Sequence, residues 1–142
     1  MLDNLVKNAL VPLLLRLGLA VVFLYHGIDM IVPEKHAYGT NWRPSLDVPD
    51  PLKVPAQAAV AWGQVAGAVA LAVGFLPRVA AAGLALILAG CIATVTGPYG
   101  FKSVNQGWEY DFVLIIMCVA VFLLGGGPIG VGHWLGGRRR KT

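Results

Sequence analysis

RLGLAVVFLYHGIDM, residues 16–30, sets an arginine, a histidine and an aspartate into one long apolar run. Twelve uninterrupted uncharged residues separate Arg16 from Asp29, and no polar face alternates with the apolar one as a soluble amphipathic helix requires. The surrounding apolar stretch, about residues 9–32, has the roughly 17–25 residues needed to cross a bilayer. Arg16 interrupts it and no small-residue cleavage site follows, so it reads as a retained helix rather than a signal peptide.

Three further apolar segments, at about 57–76, 79–96 and 111–125, complete the pattern. The whole 142-residue chain is 57% hydrophobic and 13% charged, about half the charge of a soluble domain, with mean hydropathy +0.71. The expectation is an all-α, single-domain integral membrane four-helix bundle. Between the first two spans lies a proline-rich loop over 33–55, irregular because proline fixes φ and lacks a backbone donor. Pro77 and Arg78 mark a tight antiparallel turn.

Four spans put both termini on one side. Lys7, Arg78 and the basic tail over 136–142, with Arg138, Arg139, Arg140 and Lys141, share that side. Positive charge in short loops marks the cytoplasmic face, so both termini are expected inside and the 33–55 loop outside. Nucleic-acid binding has no motif here: the positive charge is a tail, without interleaved aromatics. His26, His36 and His133 show no metal-ligand spacing, and no metal is expected.

The polar groups inside the spans are the informative ones, because an ionised side chain near the bilayer centre costs at least ~2.5–3.5 kcal/mol. Spans one, two and four bring His26, Asp29, Gln64, Trp108, Glu109, Tyr110 and Asp111 to one outer layer. His26 and Glu109 are the expected proton or hydrogen-bond pair, with Asp29, Gln64, Trp108, Tyr110 and Asp111 around a ligand. Asp29, Glu109 and Asp111 equally fit plain water-interface positions, and His26 a satisfied core histidine. Arg16, deeper on the opposite side, is expected to be a structural anchor whose guanidinium snorkels to head groups. Glycine pairs Gly63 and Gly67, extended by Gly74, and Gly83 with Gly90 suit close helix packing, which lipid otherwise does not drive. Cys91 and Cys118 lie in apolar runs; a redox pair and two buried small hydrophobes are both open.

RLGLAVVFLYHG, WGQVAGAVALAVGFLPRVAA and WEYDFVLIIMCVAVFLLGGG together resemble the three signature regions of the DoxX family of small four-helix membrane proteins. In that family an arginine precedes a His-Gly pair on the first helix, matched by Arg16, His26 and Gly27. Gln64, Gly67, Gly74 and Arg78 match the second region, with Gln64 standing where an acid is common. Glu109 and Tyr110 match the acidic-aromatic opening of the fourth helix. Asp29 stands near a usual lysine, and the family's aspartate-bearing ending is replaced by GGGPIGVGHWLG.

The resemblance implies a bacterial inner-membrane subunit of a redox complex, with quinone as a possible ligand. The alternative is a non-catalytic accessory or assembly subunit, whose glycine stripes pack against other membrane subunits or its own copies. A small multidrug-type exporter fits less well, since GLAVVFL lacks the acid such proteins carry in their first helix.

Overall fold

The computed structural model describes residues 5–32 and 49–132, and among these there is helix but no strand. Four helices build it. Helix α1 covers Val11–Ile31 and is preceded by a wider π-helical turn, Val6–Leu10. Helix α2 covers Asp50–Val73 and α3 covers Pro77–Cys91. The α3 chain continues through a π turn, Ile92–Thr96, and a 3-10 turn, Gly97–Tyr99. Helix α4 covers Glu109–Leu124.

Among the described residues, three stretches are long and apolar enough to cross a membrane: Val6–Ile31, Val54–Val73 and Pro77–Tyr99. Helix α4 has 16 residues, about 24 Å at 1.5 Å per residue. Its outward side chains are still apolar, with Val113, Ile116, Val119 and Leu123 all exposed. Apolar residues on the outside of a bundle need a solvent that tolerates them, which a lipid interior is.

Each helix packs on two neighbours: α1 on α2 and α4, and α3 on the same two. The shared core takes Leu19 and Phe23 from α1, Ala68 and Leu71 from α2, Leu84 and Leu88 from α3, and Leu114, Cys118 and Val121 from α4. Alanine and glycine at the seams let the backbones close in. A Cβ placed on Gly27 would sit 2.8 Å from Val65 Cγ2 and 3.0 Å from the Ala61 carbonyl oxygen, so α1 and α2 touch through bare backbone there. Gly67 is similarly filled by Leu84, at 2.8 Å, and Gly63 meets Ile87 at 3.1 Å. Gly83 and Gly90 differ from the expectation of a packing stripe, since an added Cβ at either would enter open space. Spacing sets which glycines share a face, but only helix rotation sets what that face meets.

Helix α2 begins seven residues earlier than its apolar run. Residues 50–55, expected in the loop, are helical: Pro49 stands just outside and Pro51 occupies the first turn, where a missing N–H is no loss. The rest of that loop, 33–48, and the tail 136–142 lie outside the described residues, as do His36 and His133.

The α2–α3 turn is closed by a Schellman motif. Gly74 takes φ +72°, Phe75 N–H donates to the Ala70 carbonyl at 2.9 Å, and Gly74 N–H donates to Leu71 at 3.2 Å. Behind it Arg16 is 1% exposed, so its guanidinium does not snorkel to head groups. Its Nε donates to the Leu71 carbonyl at 2.9 Å, Nη2 to Ala72 at 3.4 Å, and Nη1 to Ile129 at 2.7 Å and to Gly126. The cation thereby caps the negative end of α2 and ties the 125–132 segment across it. Gly132 N–H completes this end of the bundle on the Gly74 carbonyl at 3.1 Å. Arg78 approaches Gly125 at the same end.

Candidate functional site

At the opposite end, where α1 and α3 finish and α2 and α4 begin, the four helices enclose a cavity of about 580 Å³. Its walls are mostly apolar, with Val22, Phe23, Val60, Leu86, Leu88 and Leu114 among them. Its polar groups are His26, Gln64, Cys91, Thr94, Tyr110 and Asp111. A largely apolar chamber with a few convergent polar groups is the usual form of a small-molecule site.

His26 sits in the last three turns of α1, one residue before Gly27. The neighbouring Gly27 is where α1 and α2 touch, and His26 itself lines the cavity. Its imidazole is exposed and lies between two tyrosines, edge-on to Tyr25 at 5.8 Å and stacked on Tyr110 at 6.2 Å with 24° between the planes. Asp111 is 9% exposed. Its Oδ2 accepts the Thr96 hydroxyl at 2.8 Å, and it shares the cavity wall with Cys91 and His26. Thr96 reaches it because the Ile92–Thr96 segment is wound as a π turn, which re-aims side chains at a helix end. Thr94, in that turn, donates to the Gly90 carbonyl at 2.7 Å. Gln64 projects from α2, its Nε2 3.9 Å from Met30 Sδ.

Of the residues expected in one layer, His26, Gln64, Tyr110 and Asp111 come together around this cavity, whereas Asp29, Trp108 and Glu109 are not among its walls. Glu109 does not pair with His26. Its Oε2 accepts the Ser103 backbone N–H at 3.0 Å, and no hydrogen bond or ion pair joins the two side chains among the described residues. The acid that shares the cavity with His26 is Asp111, two residues further on. A step of two residues turns a helix by about 200°, so the two acids occupy opposite sides of α4. Trp108 packs edge-on against Phe101 and Phe112 at 4.8 Å and 5.8 Å, closing the 97–108 loop.

Cys91, Thr94 and Thr96 were not singled out as site residues by sequence reasoning. The signal available was two hydroxyls and a thiol crowding the last two turns of an otherwise aliphatic span. Both cysteines are free. Cys91 lines the cavity together with Asp111, while Cys118 is two turns along α4 from that acid, among Ala81, Ala85 and Ala89, about 10 Å away by helix rise. They do not form a facing pair. No group of three or more His, Cys, Asp or Glu side chains suited to a metal occurs among the described residues.

No curated protein and no solved structure matches the chain. The DoxX family model matches residues 11–97, the stretch that runs from the first helix through the π turn carrying Thr94 and Thr96. The chain is a membrane protein of the DoxX family.

Proposed function

We propose that this protein is the quinone-binding membrane subunit of a redox complex, with the cavity at the His26 end as its quinone site. The observation that supports this best is an apolar chamber of about 580 Å³ with a few polar side chains among its walls. A quinone needs a flat greasy slot for ring and tail, and hydrogen-bonding groups at its oxygens. Phe23, Leu86, Leu88 and Leu114 supply the slot. A ring N–H of His26, the Tyr110 hydroxyl and the Gln64 amide are among the chamber's polar groups.

When bound, a quinone supplies two-electron, two-proton redox chemistry. His26 orients the ligand and exchanges a proton with it, since an imidazole carries both a donor and an acceptor nitrogen. Asp111 takes the acidic role that sequence reasoning gave to Glu109, and Thr96 fixes its carboxylate. The topology follows the charge bias: both termini face the cytoplasm, the His26 end faces outward, and the membrane is the bacterial inner membrane.

The test is chemical. Protein purified from native membranes in mild detergent should release quinone on solvent extraction, and His26→Ala, still folded, should release little. Quinone in equal amounts from both, or from neither, refutes this function.

The second reading, an accessory subunit without chemistry, has its own support. The outer face of α3 and α4 carries a wholly apolar groove along Ala82, Ala85, Ala89, Ile115 and Val119, a shape suited to a neighbouring helix. A quinone-free chain that co-purifies with a larger complex would favour it.

A further inference from the structure

Four seams between neighbouring helices surround the chamber, and three of them are bridged at its level. Gly27 brings the backbones of α1 and α2 together at Ala61 and Val65. The Thr96 hydroxyl, on the continuation of α3, donates to Asp111 of α4 at 2.8 Å. The Tyr110 and His26 rings stack across α4 and α1 at 6.2 Å. The α2–α3 seam is different. Near the Gly74 turn it is shut, with Leu84 filling the space over Gly67 and Ile87 reaching within 3.1 Å of a Cβ placed on Gly63. Three residues beyond Ile87 the contact ends: among the described residues, a Cβ placed on Gly90 meets nothing within 4 Å.

Gly90 is exposed, and Leu86, one turn before it, is 74% exposed. Both still line the chamber, together with Val60 and Gln64 of α2. A position that borders an internal space and the outside of the bundle at once marks an opening. Gly90 stands thirteen residues beyond Pro77 in the Pro77–Tyr99 span. That is roughly 20 Å into a stretch of roughly 34 Å, so the opening faces hydrocarbon and not the head groups. Its α3 edge suits that solvent. Leu86 and Ile87 are apolar, and Thr94 returns its hydroxyl proton to the Gly90 carbonyl of its own helix at 2.7 Å.

We infer that the chamber opens sideways into the bilayer between α2 and α3 at Gly90, and that its ligand is a lipid-dissolved carrier whose hydrocarbon tail leaves through this gap while its ring stays inside. A ring-and-tail molecule already dissolved among acyl chains enters head-first there without crossing water. Once the ring is seated, the tail stays in hydrocarbon at no cost, because acyl chains and apolar side chains are equivalent surroundings for it. A water-borne aromatic gains nothing from an opening at this depth. Resting on the chamber being the quinone site, this assignment adds the class of quinone, tailed and drawn from the lipid phase, and the seam by which it enters.

The test uses the purified full chain in lipid nanodiscs, titrated with two quinones of one ring structure: dimethoxy-methyl-benzoquinone, which has no tail, and its decyl derivative. Ligand is counted per lipid, so that partitioning into the bilayer cancels. In the parent protein the two should bind within about threefold of each other, since the tail exchanges lipid for the gap at no cost. Gly90→Leu narrows the gap and should raise the ratio of the two dissociation constants on the order of tenfold against the decyl compound, the effect of overpacking an occupied space. Leu86→Trp, on the outer lip, should move the ratio in the same direction. The tail-less compound needs only the chamber, and its binding reports that each variant is folded. A decyl compound about tenfold weaker than the tail-less one in the parent, or a ratio unmoved in both variants, would overturn the lateral opening and leave the quinone site standing. Binding of neither compound by the parent would overturn both.

Discussion

Replacing Arg16 separates a structural clamp from a lipid anchor. The guanidinium makes three short hydrogen bonds, to Leu71, Gly126 and Ile129, and a long one to Ala72. Arg16→Met keeps the apolar stem and removes the fork, leaving the Gly126 and Ile129 carbonyls unpaired at about 1–3 kcal/mol each, while the Leu71 carbonyl keeps the Gly74 N–H. Relief from burying the cation offsets part of that, so the net loss is about 1–4 kcal/mol. At roughly 2–4 °C per kcal/mol for a chain of this size, the melting temperature in a fixed detergent should fall by about 2–15 °C. Arg16→Lys should recover little, because an ammonium is a point charge and does not span a planar set of acceptors. Hydrogen exchange should also quicken at Gly132, whose N–H is held on the Gly74 carbonyl beside the clamp. A lysine variant as stable as the parent would refute the clamp and restore the snorkelling cation.

Further outcomes follow from the same contacts. Gly27→Ala should destabilise by about 1–3 kcal/mol through overpacking, because its methyl would strike Val65 and the Ala61 carbonyl. Gly83→Ala, which enters open space, should be neutral or stabilising by up to about 1 kcal/mol; thermal unfolding of both variants checks the contrast. Thr96→Val removes the hydroxyl that donates to Asp111 and should cost about 1–3 kcal/mol, measured by denaturation in detergent. Gly90→Phe should project its ring into the chamber and abolish duroquinone binding with the melting temperature little changed.

The membrane bundle was legible because hydropathy runs need no tertiary knowledge. The start of α2 was less so: PDPLKVP reads as loop by composition, yet Pro51 sits where the first turn lacks N–H partners anyway. The polar layer was legible to its depth and not to its rotation. His26, Gln64, Tyr110 and Asp111 enter the cavity, while Glu109, next to Tyr110 in sequence, turns to the 97–108 loop. The same holds for Gly83 and Gly90, whose seven-residue spacing matches Gly67 and Gly74 but where an added Cβ would meet nothing. Arg16 was misplaced for a different reason. Its partners at Gly126 and Ile129 stand 110 and 113 residues away in the chain, and no local pattern announces that a glycine-rich segment folds back over a helix end.

Photolabelling with an azidoquinone in native membranes, followed by peptide mapping, addresses the quinone site most directly. Label should fall on the segments holding His26, Cys91–Val95 and Tyr110, and excess duroquinone should displace it. Label confined to the lipid-facing side of α3 and α4, around Val119 and Phe122, and indifferent to competitor would contradict a quinone site in this cavity.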